Sequence, residues 1–141
     1  MSEPFLLIER DGPVVIATLN RPDDRNAISE TTHSEEIADF CGQMTRDRSV
    51  RAVVLTGAGK AFCAGGNIKH MREKAGMFAG SPFQQRNSYR TGIQLIPTAL
   101  YDLEVPVIAA SMVPQSALGL ILPACVMSAL PRKRHSLLKA S

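Results

Sequence analysis

Residues 5–10 (FLLIER) and 14–19 (VVIATL) are short apolar runs rich in β-branched residues. Asp11-Gly12-Pro13 separates them, which predicts a β-hairpin. A polar, turn-rich stretch, Asn20-Arg21-Pro22-Asp23-Asp24, follows. Ser29 is positioned to cap a helix running to about Asp47, with Ile37, Phe40, Cys41 and Met44 at helical spacing on one face. Residues 51–56 (RAVVLT) read as a third strand, and Gly57-Ala58-Gly59-Lys60 as a loop. After the small-residue stretch 61–67 (AFCAGGN), a short helix is expected from about Asn67 to Lys74, then a loop over 76–82. A longer helix is expected over 83–103, with Ile93, Ile96 and Leu100 inward and Pro97 starting its last part or kinking it. Residues 105–110 (VPVIAA) read as a fourth strand. Strands alternating with helices predict an α/β layer fold with parallel crossovers, in which ligands gather at loops after strands.

Composition narrows the function classes. At 141 residues and 45% apolar content the chain suits one modest domain with a core, and 21% charged residues argue against wholesale disorder. Cys41, Cys63 and Cys125 form no CxxC pair and no even disulfide framework, so a reduced, cytoplasmic protein is expected. Glu3, Pro4 and Glu9 interrupt any charged-then-apolar signal pattern at the start. The sequence pI of about 9.0 belongs to the last thirty residues, because Lys and Arg nearly balance Asp and Glu over residues 1–110 and no acid follows. With 5% aromatics and no tryptophan, no nucleic-acid partner is expected. His33, His70 and His135 have no metal spacing and read as surface residues, and Glu35-Glu36 as a solvated face; neither metal nor cofactor is expected. Residues 112–130 carry no charge and precede Arg132-Lys133-Arg134, but Pro114, Gln115 and Pro123 suit a membrane helix poorly, and no membrane partner is expected.

The stretch of chemical interest is Phe62-Cys63-Ala64-Gly65-Gly66-Asn67-Ile68-Lys69. It is no P-loop, since Val54 stands where the first glycine should be and Ala61 follows Lys60. It is no dinucleotide fingerprint either, since Phe62 takes the third glycine position. Consecutive small residues let a ligand touch the backbone, and a turn into a helix start presents free N–H groups that can polarise a carbonyl. The plain alternative is a tight strand-to-helix turn. Cys63 has no histidine in a suggestive relation to it and reads as a packed loop residue rather than a nucleophile.

The run from Gly59 to Lys69 resembles the signature loop of the enoyl-CoA hydratase/isomerase (crotonase) superfamily. Thr18-Leu19-Asn20-Arg21-Pro22 with Asn26-Ala27, Arg51 to Gly57, and Pro106 to Ala110 resemble three further family blocks, in the family's order. The resemblance covers roughly residues 5–110. It implies an α/β spiral of ββα units with a parallel sheet, incomplete here, that binds an acyl-CoA thioester. It further implies that Ala64, Gly65 and Gly66 line the CoA and thioester pocket, that the Gly66 N–H is one of two oxyanion-hole donors, and that Asn67, Ile68 and Lys69 complete the substrate-contacting turn. Asparagine at 67 departs from the commoner aspartate. By position Arg25 could offer a charge to CoA phosphates, although a solvated loop arginine is the plainer reading. Family members are homo-oligomers; this chain is not expected to assemble.

After Ala109-Ala110 the family continues Val-Asn-Gly into a second oxyanion turn and then the acid/base carboxylates. Here the chain reads Ser111-Met112-Val113-Pro114-Gln115-Ser116 instead. Loss of one base after codon 110 accounts for the change. Met112 followed by Val113 then forces a glycine codon, and permitted wobble bases restore Val-Asn-Gly-Pro-Ala-Ile-Gly-Ala-Gly-Leu-Asp-Leu. The expected organisation is thus residues 1–110 as the N-terminal part of a crotonase-like domain and 111–141 as an out-of-family tail. The expected function is that of an acyl-CoA-binding family member whose parent activity is enoyl-CoA hydratase/isomerase, inactive here by truncation; the alternative is a non-catalytic acyl-CoA-binding or oligomer-interacting remnant. Reading the coding DNA across codon 110 tests this: a one-base shift is expected to restore that peptide, and its failure in every frame would refute the idea.

Overall fold

A computed structural model describes residues 3–111; the expectations placed on residues 112–141 lie outside the described residues. The hairpin forms as expected, β1 (Leu6–Asp11) running antiparallel to β2 (Val14–Leu19). Helix α1 (Thr31–Arg46) then carries the chain across to β3 (Ala52–Gly57), which pairs parallel with β2. Parallel neighbours need such a crossover because a tight turn cannot reverse the chain twice. Two further helices, α3 (Pro82–Thr91) and α4 (Leu95–Asp102), follow the short α2 (Ile68–Glu73) and lead to β4 (Val107–Ala109), parallel to β3. The four strands lie in sequence order in one mixed sheet.

Alternation puts Val15, Ala17, Leu19, Val53, Leu55 and Val107 on the buried face. Against it pack Ile37, Phe40, Cys41 and Met44 of α1, the face that the spacing predicted, and Ile96 and Leu100 of α4. Each such side chain contributes roughly 1.5–3 kcal/mol of burial free energy, so the helices are held mainly by this layer rather than by helix propensity.

Three boundaries differ from expectation. Ser29 does not cap α1: the cap position is Glu30, with no side-chain cap, because Ser29 is engaged elsewhere. The expected helix over 83–103 is two helices. Its start is fixed by a capping box between Ser81 and Gln84 and by Pro82 in the first turn. It breaks at Gly92, where Gln94 N–H reaches back to the Tyr89 carbonyl (3.0 Å) and Leu95 N–H to the Gly92 carbonyl (2.8 Å), so the regular four-residue ladder is lost. Pro97 falls inside the first turn of α4, where a missing N–H is harmless. The fourth strand is shorter than expected, Val107–Ala109.

The first strand is anchored by two residues that the sequence placed at the surface. His33 is buried, and its ring stacks on Phe5 at 4.0 Å between centroids and 6° between planes. Its Nδ1 accepts the Ser29 N–H (3.4 Å). Glu36 is not merely solvated: Oε2 accepts both the Phe5 and Leu6 N–H groups, at 2.9 and 3.1 Å. On the ring of Phe5 lies the Arg21 guanidinium, 5.9 Å from the centroid. Burial first, and then the Arg21 charge, hold the His33 pKa below its ordinary 6.5, against the opposing pull of Glu30, Glu36 and Asp24.

That shift sets a pH dependence. The unfolded chain takes up the His33 proton more readily than the folded one, so the stabilisation is complete above pH 6.5 and drains as pH falls toward the lower folded value. In urea unfolding, the midpoint of the native chain is expected to fall between pH 7.5 and 5.5 more steeply than that of His33→Gln. Equal slopes would contradict the assignment.

Candidate functional site

Two loops meet beyond the ends of β2 and β3. The first, after β2, ends in two left-handed residues, Arg25 and Asn26, with φ of 53° and 56°. Asparagine tolerates that conformation better than most residues, and here its side chain is used completely. Asn26 is 0% exposed. Its Oδ1 accepts the Arg21 N–H (2.8 Å), while Nδ2 donates to the carbonyls of Ala58 (2.9 Å) and Ala61 (2.8 Å). The Cys63 thiol donates to the Asn26 carbonyl (3.2 Å). Asn26 therefore ties the first loop to both sides of the loop after β3. Its place in the motif Asn26-Ala27 gives no sign of this role in the sequence.

Beyond Asn26 the two loops run side by side as a short parallel bridge, Ile28 opposite Gly66. The Ile28 N–H donates to the Gly65 carbonyl (2.8 Å), and the Asn67 N–H donates to the Ile28 carbonyl (3.2 Å). In parallel pairing the residue between two such bonds turns its own N–H to the opposite side. The Gly66 N–H is in that position, and no hydrogen-bond acceptor among the described residues meets it. The bend that makes this possible has Gly65 at φ 86°, a conformation open to glycine and costly to other residues.

The neighbouring amides are engaged. Ala64 N–H donates to the Arg25 carbonyl (2.9 Å), and Gly65 N–H points at Cys63 Sγ (3.4 Å). The expectation of several amides converging from 64–66 thus narrows to Gly66 alone, because the same bend needs the other two for its own closure. Burial pushes the Cys63 thiol pKa up, which opposes a thiolate nucleophile and suits a packed loop residue.

Gly66 lines a cavity of about 250 Å³. Ile28, Met71, Tyr89, Ile93 and Ile96 give most of its apolar wall, Gln94 also lines it, and among the described residues no lining side chain carries a charge. The break at Gly92 places Ile93, one turn ahead of buried Ile96, at this wall. Periodicity indicated Ile93 and Ile96 as inward, but not that they face a cavity. Met71, Tyr89 and Ile28 carried no signal beyond apolarity.

The other proposed site residues lie around the rim. Asn67 caps α2: Oδ1 accepts the His70 N–H (3.1 Å) and Nδ2 donates to Ser29 Oγ (3.0 Å). The second bond ties the cap of α2 to the first loop. Ile68 and Lys69 are exposed on the first turn of α2, and neither lines the cavity. Arg25 is also exposed, and its carbonyl holds Ala64. Among the described residues no group of three or more His, Cys, Asp or Glu stands close enough to hold a metal ion, and no helix is long and apolar enough to cross a membrane.

A profile of the enoyl-CoA hydratase/isomerase family matches residues 9–112. The chain is 41% identical over 69 residues to a short-chain-enoyl-CoA hydratase of Clostridium acetobutylicum, covering 48% of this chain and 26% of that protein. It is 40% identical over 80 residues to a mevalonyl-coenzyme A hydratase of Beauveria bassiana, covering 55% and 28%. Among solved structures, the enoyl-CoA hydratase of Bacillus anthracis superposes with a TM-score of 0.74 at 27% identity, over 86% of this chain and 45% of that one. The chain therefore spans about a quarter of these curated relatives and less than half of the solved one.

Replacing Asn26 by alanine leaves the Arg21 N–H and the Ala58 and Ala61 carbonyls without their partner. A loss of roughly 2–4 kcal/mol in unfolding free energy is expected, measured by urea titration. A change below about 0.5 kcal/mol, the level of an ordinary surface substitution, would show that the two loops do not depend on it.

Proposed function

The chain belongs to the enoyl-CoA hydratase/isomerase family, and from that premise we propose that it binds an acyl-CoA thioester with the acyl group in the apolar cavity and the thioester oxygen on the Gly66 N–H. The observation that carries this reading is one amide that meets no acceptor among the described residues, at the wall of a cavity that no charged side chain among them lines. A buried donor without an acceptor is costly, and a carbonyl oxygen seated there removes the cost. When an α-proton leaves or a nucleophile adds to the enoyl β-carbon, negative charge moves onto that oxygen, and a preoriented amide stabilises it. The exposed Lys69 and Arg25 are proposed to attract the phosphates of CoA through solvent rather than to clamp them.

Turnover needs more than this amide. A second oxyanion donor and a carboxylate for proton transfer are required, and no Asp or Glu lines the cavity among the described residues. Residues 1–110 are therefore proposed as the N-terminal part of such a domain, binding without efficient catalysis, with 111–141 outside the family pattern. Hydratase and isomerase chemistry remain equal candidates for a whole protein that contains this part.

The test varies the ligand, so folding of a variant is not at issue. Butyryl-CoA is expected to bind roughly two- to tenfold more tightly than S-butyl-CoA, which lacks the carbonyl, the worth of one neutral hydrogen bond. Equal affinities would remove the oxyanion role. With crotonoyl-CoA, loss of enoyl absorbance is expected to be at least roughly 100- to 1,000-fold slower than for a full-length hydratase, the cost of one missing donor. A rate equal to the full-length enzyme's would refute the claim of impaired catalysis.

A further inference from the structure

Gly66 does more than present an amide. A Cβ built on it would stand 2.4 Å from Met71 Cε, well inside contact, then 3.4 Å from Phe78 Cζ and 4.0 Å from Ile93 Cδ1. The Gly66 backbone is not in the left-handed region, so glycine is not required there by conformation. The methyl tip of the methionine takes the space a side chain at 66 would use. We propose that Gly66 and Met71 share one volume in the cavity wall and together set the length of acyl chain that fits, for straight, uncharged acyl groups; this rests on the acyl-CoA reading above.

The argument has three parts. Both residues line the same cavity, so whatever fills their shared volume changes the room left for a ligand. Met71 is fixed at its backbone and free at its tip. Its N–H donates to the Asn67 carbonyl (2.9 Å) in the first turn of α2, whose cap is bound to Ser29. Beyond Cβ the thioether has three rotatable bonds and adapts to what it meets. A methyl at 66 thus pushes the Met71 tip rather than the backbone, and the wall opposite, Ile93 and Ile96, belongs to or adjoins the packed α4. Finally, among the described residues no charged side chain lines the cavity. A carboxylate at the end of an acyl chain would lose its hydration with nothing to replace it, so the ligands are apolar acyl chains rather than dicarboxylic ones.

The experiment measures binding of saturated acyl-CoAs from acetyl to decanoyl, by calorimetry, to the native chain, Gly66→Ala, Met71→Ala and the double variant. In the native chain, affinity is expected to rise about fourfold per buried CH₂ up to a limiting length and then to stop rising. Met71→Ala is expected to move that limit to longer chains and Gly66→Ala to shorter ones. The double variant is expected to return toward the native limit, since alanine at 66 then occupies the space the methionine left. Succinyl-CoA is expected to bind no better than CoA itself. Binding that is retained with the same limit in all four proteins would overturn the length gauge and leave the acyl-CoA reading standing; affinity independent of the acyl group would overturn both. Urea unfolding of the same four proteins reads the shared volume without any ligand. The loss on Gly66→Ala is expected to be smaller in the Met71→Ala background, and strictly additive losses would refute the coupling.

Discussion

The site depends on the pairing of Ile28 with the bend at 65–67. Two hydrogen bonds to one residue, from above and below, decide which way the peptide at Gly66 must face. An isolated glycine turn could present its amide in many directions. Here direction follows from strand-like pairing between two loops that are far apart in sequence, and the loops stay paired because Asn26, buried between them, bonds to both. A backbone donor positioned by other backbone groups has little freedom to reorganise, which is the property that makes such donors useful to a developing oxyanion.

Much of the architecture could be read from alternation and spacing. The hairpin, the apolar face of α1 and the parallel strands at 52–57 and 107–109 each bury one set of residues at a regular period, and regular burial leaves a pattern in the chain. What could not be read was decided by contacts between distant segments. His33 has the composition of a surface residue, but Phe5 covers its ring. Glu36 sits on the polar side of α1, but the start of β1 supplies two N–H groups that its carboxylate satisfies. The interruption at Gly92 cuts across an otherwise continuous helical pattern, with Ile93 and Ile96 on either side of the new helix start lining one cavity.

The functional loop was legible as a family resemblance, and the profile match over residues 9–112 bears out the family. Within the loop, residue type alone could not separate Ala64, Gly65 and Gly66, because each has an amide and little else. Their difference lies in what accepts from each amide: Arg25 in one case, Cys63 in another, and no acceptor among the described residues in the third. Asn67 Nδ2 donates to Ser29 Oγ, a contact between distant segments that spacing along the chain does not reveal.

The division at Gly92 has a mechanical consequence. Helix α4 is riveted to α1 through Ile96 and Leu100, whereas α3 contributes no buried residue at all. Helix α3 is held instead by the edge contact of Tyr89 with Phe78 and by Gln85 Nε2, which donates to the Phe78 and Gly80 carbonyls. Local opening of α3 therefore costs less than opening of α4, and two stretches that read as one helix in the sequence differ in stability on either side of the glycine.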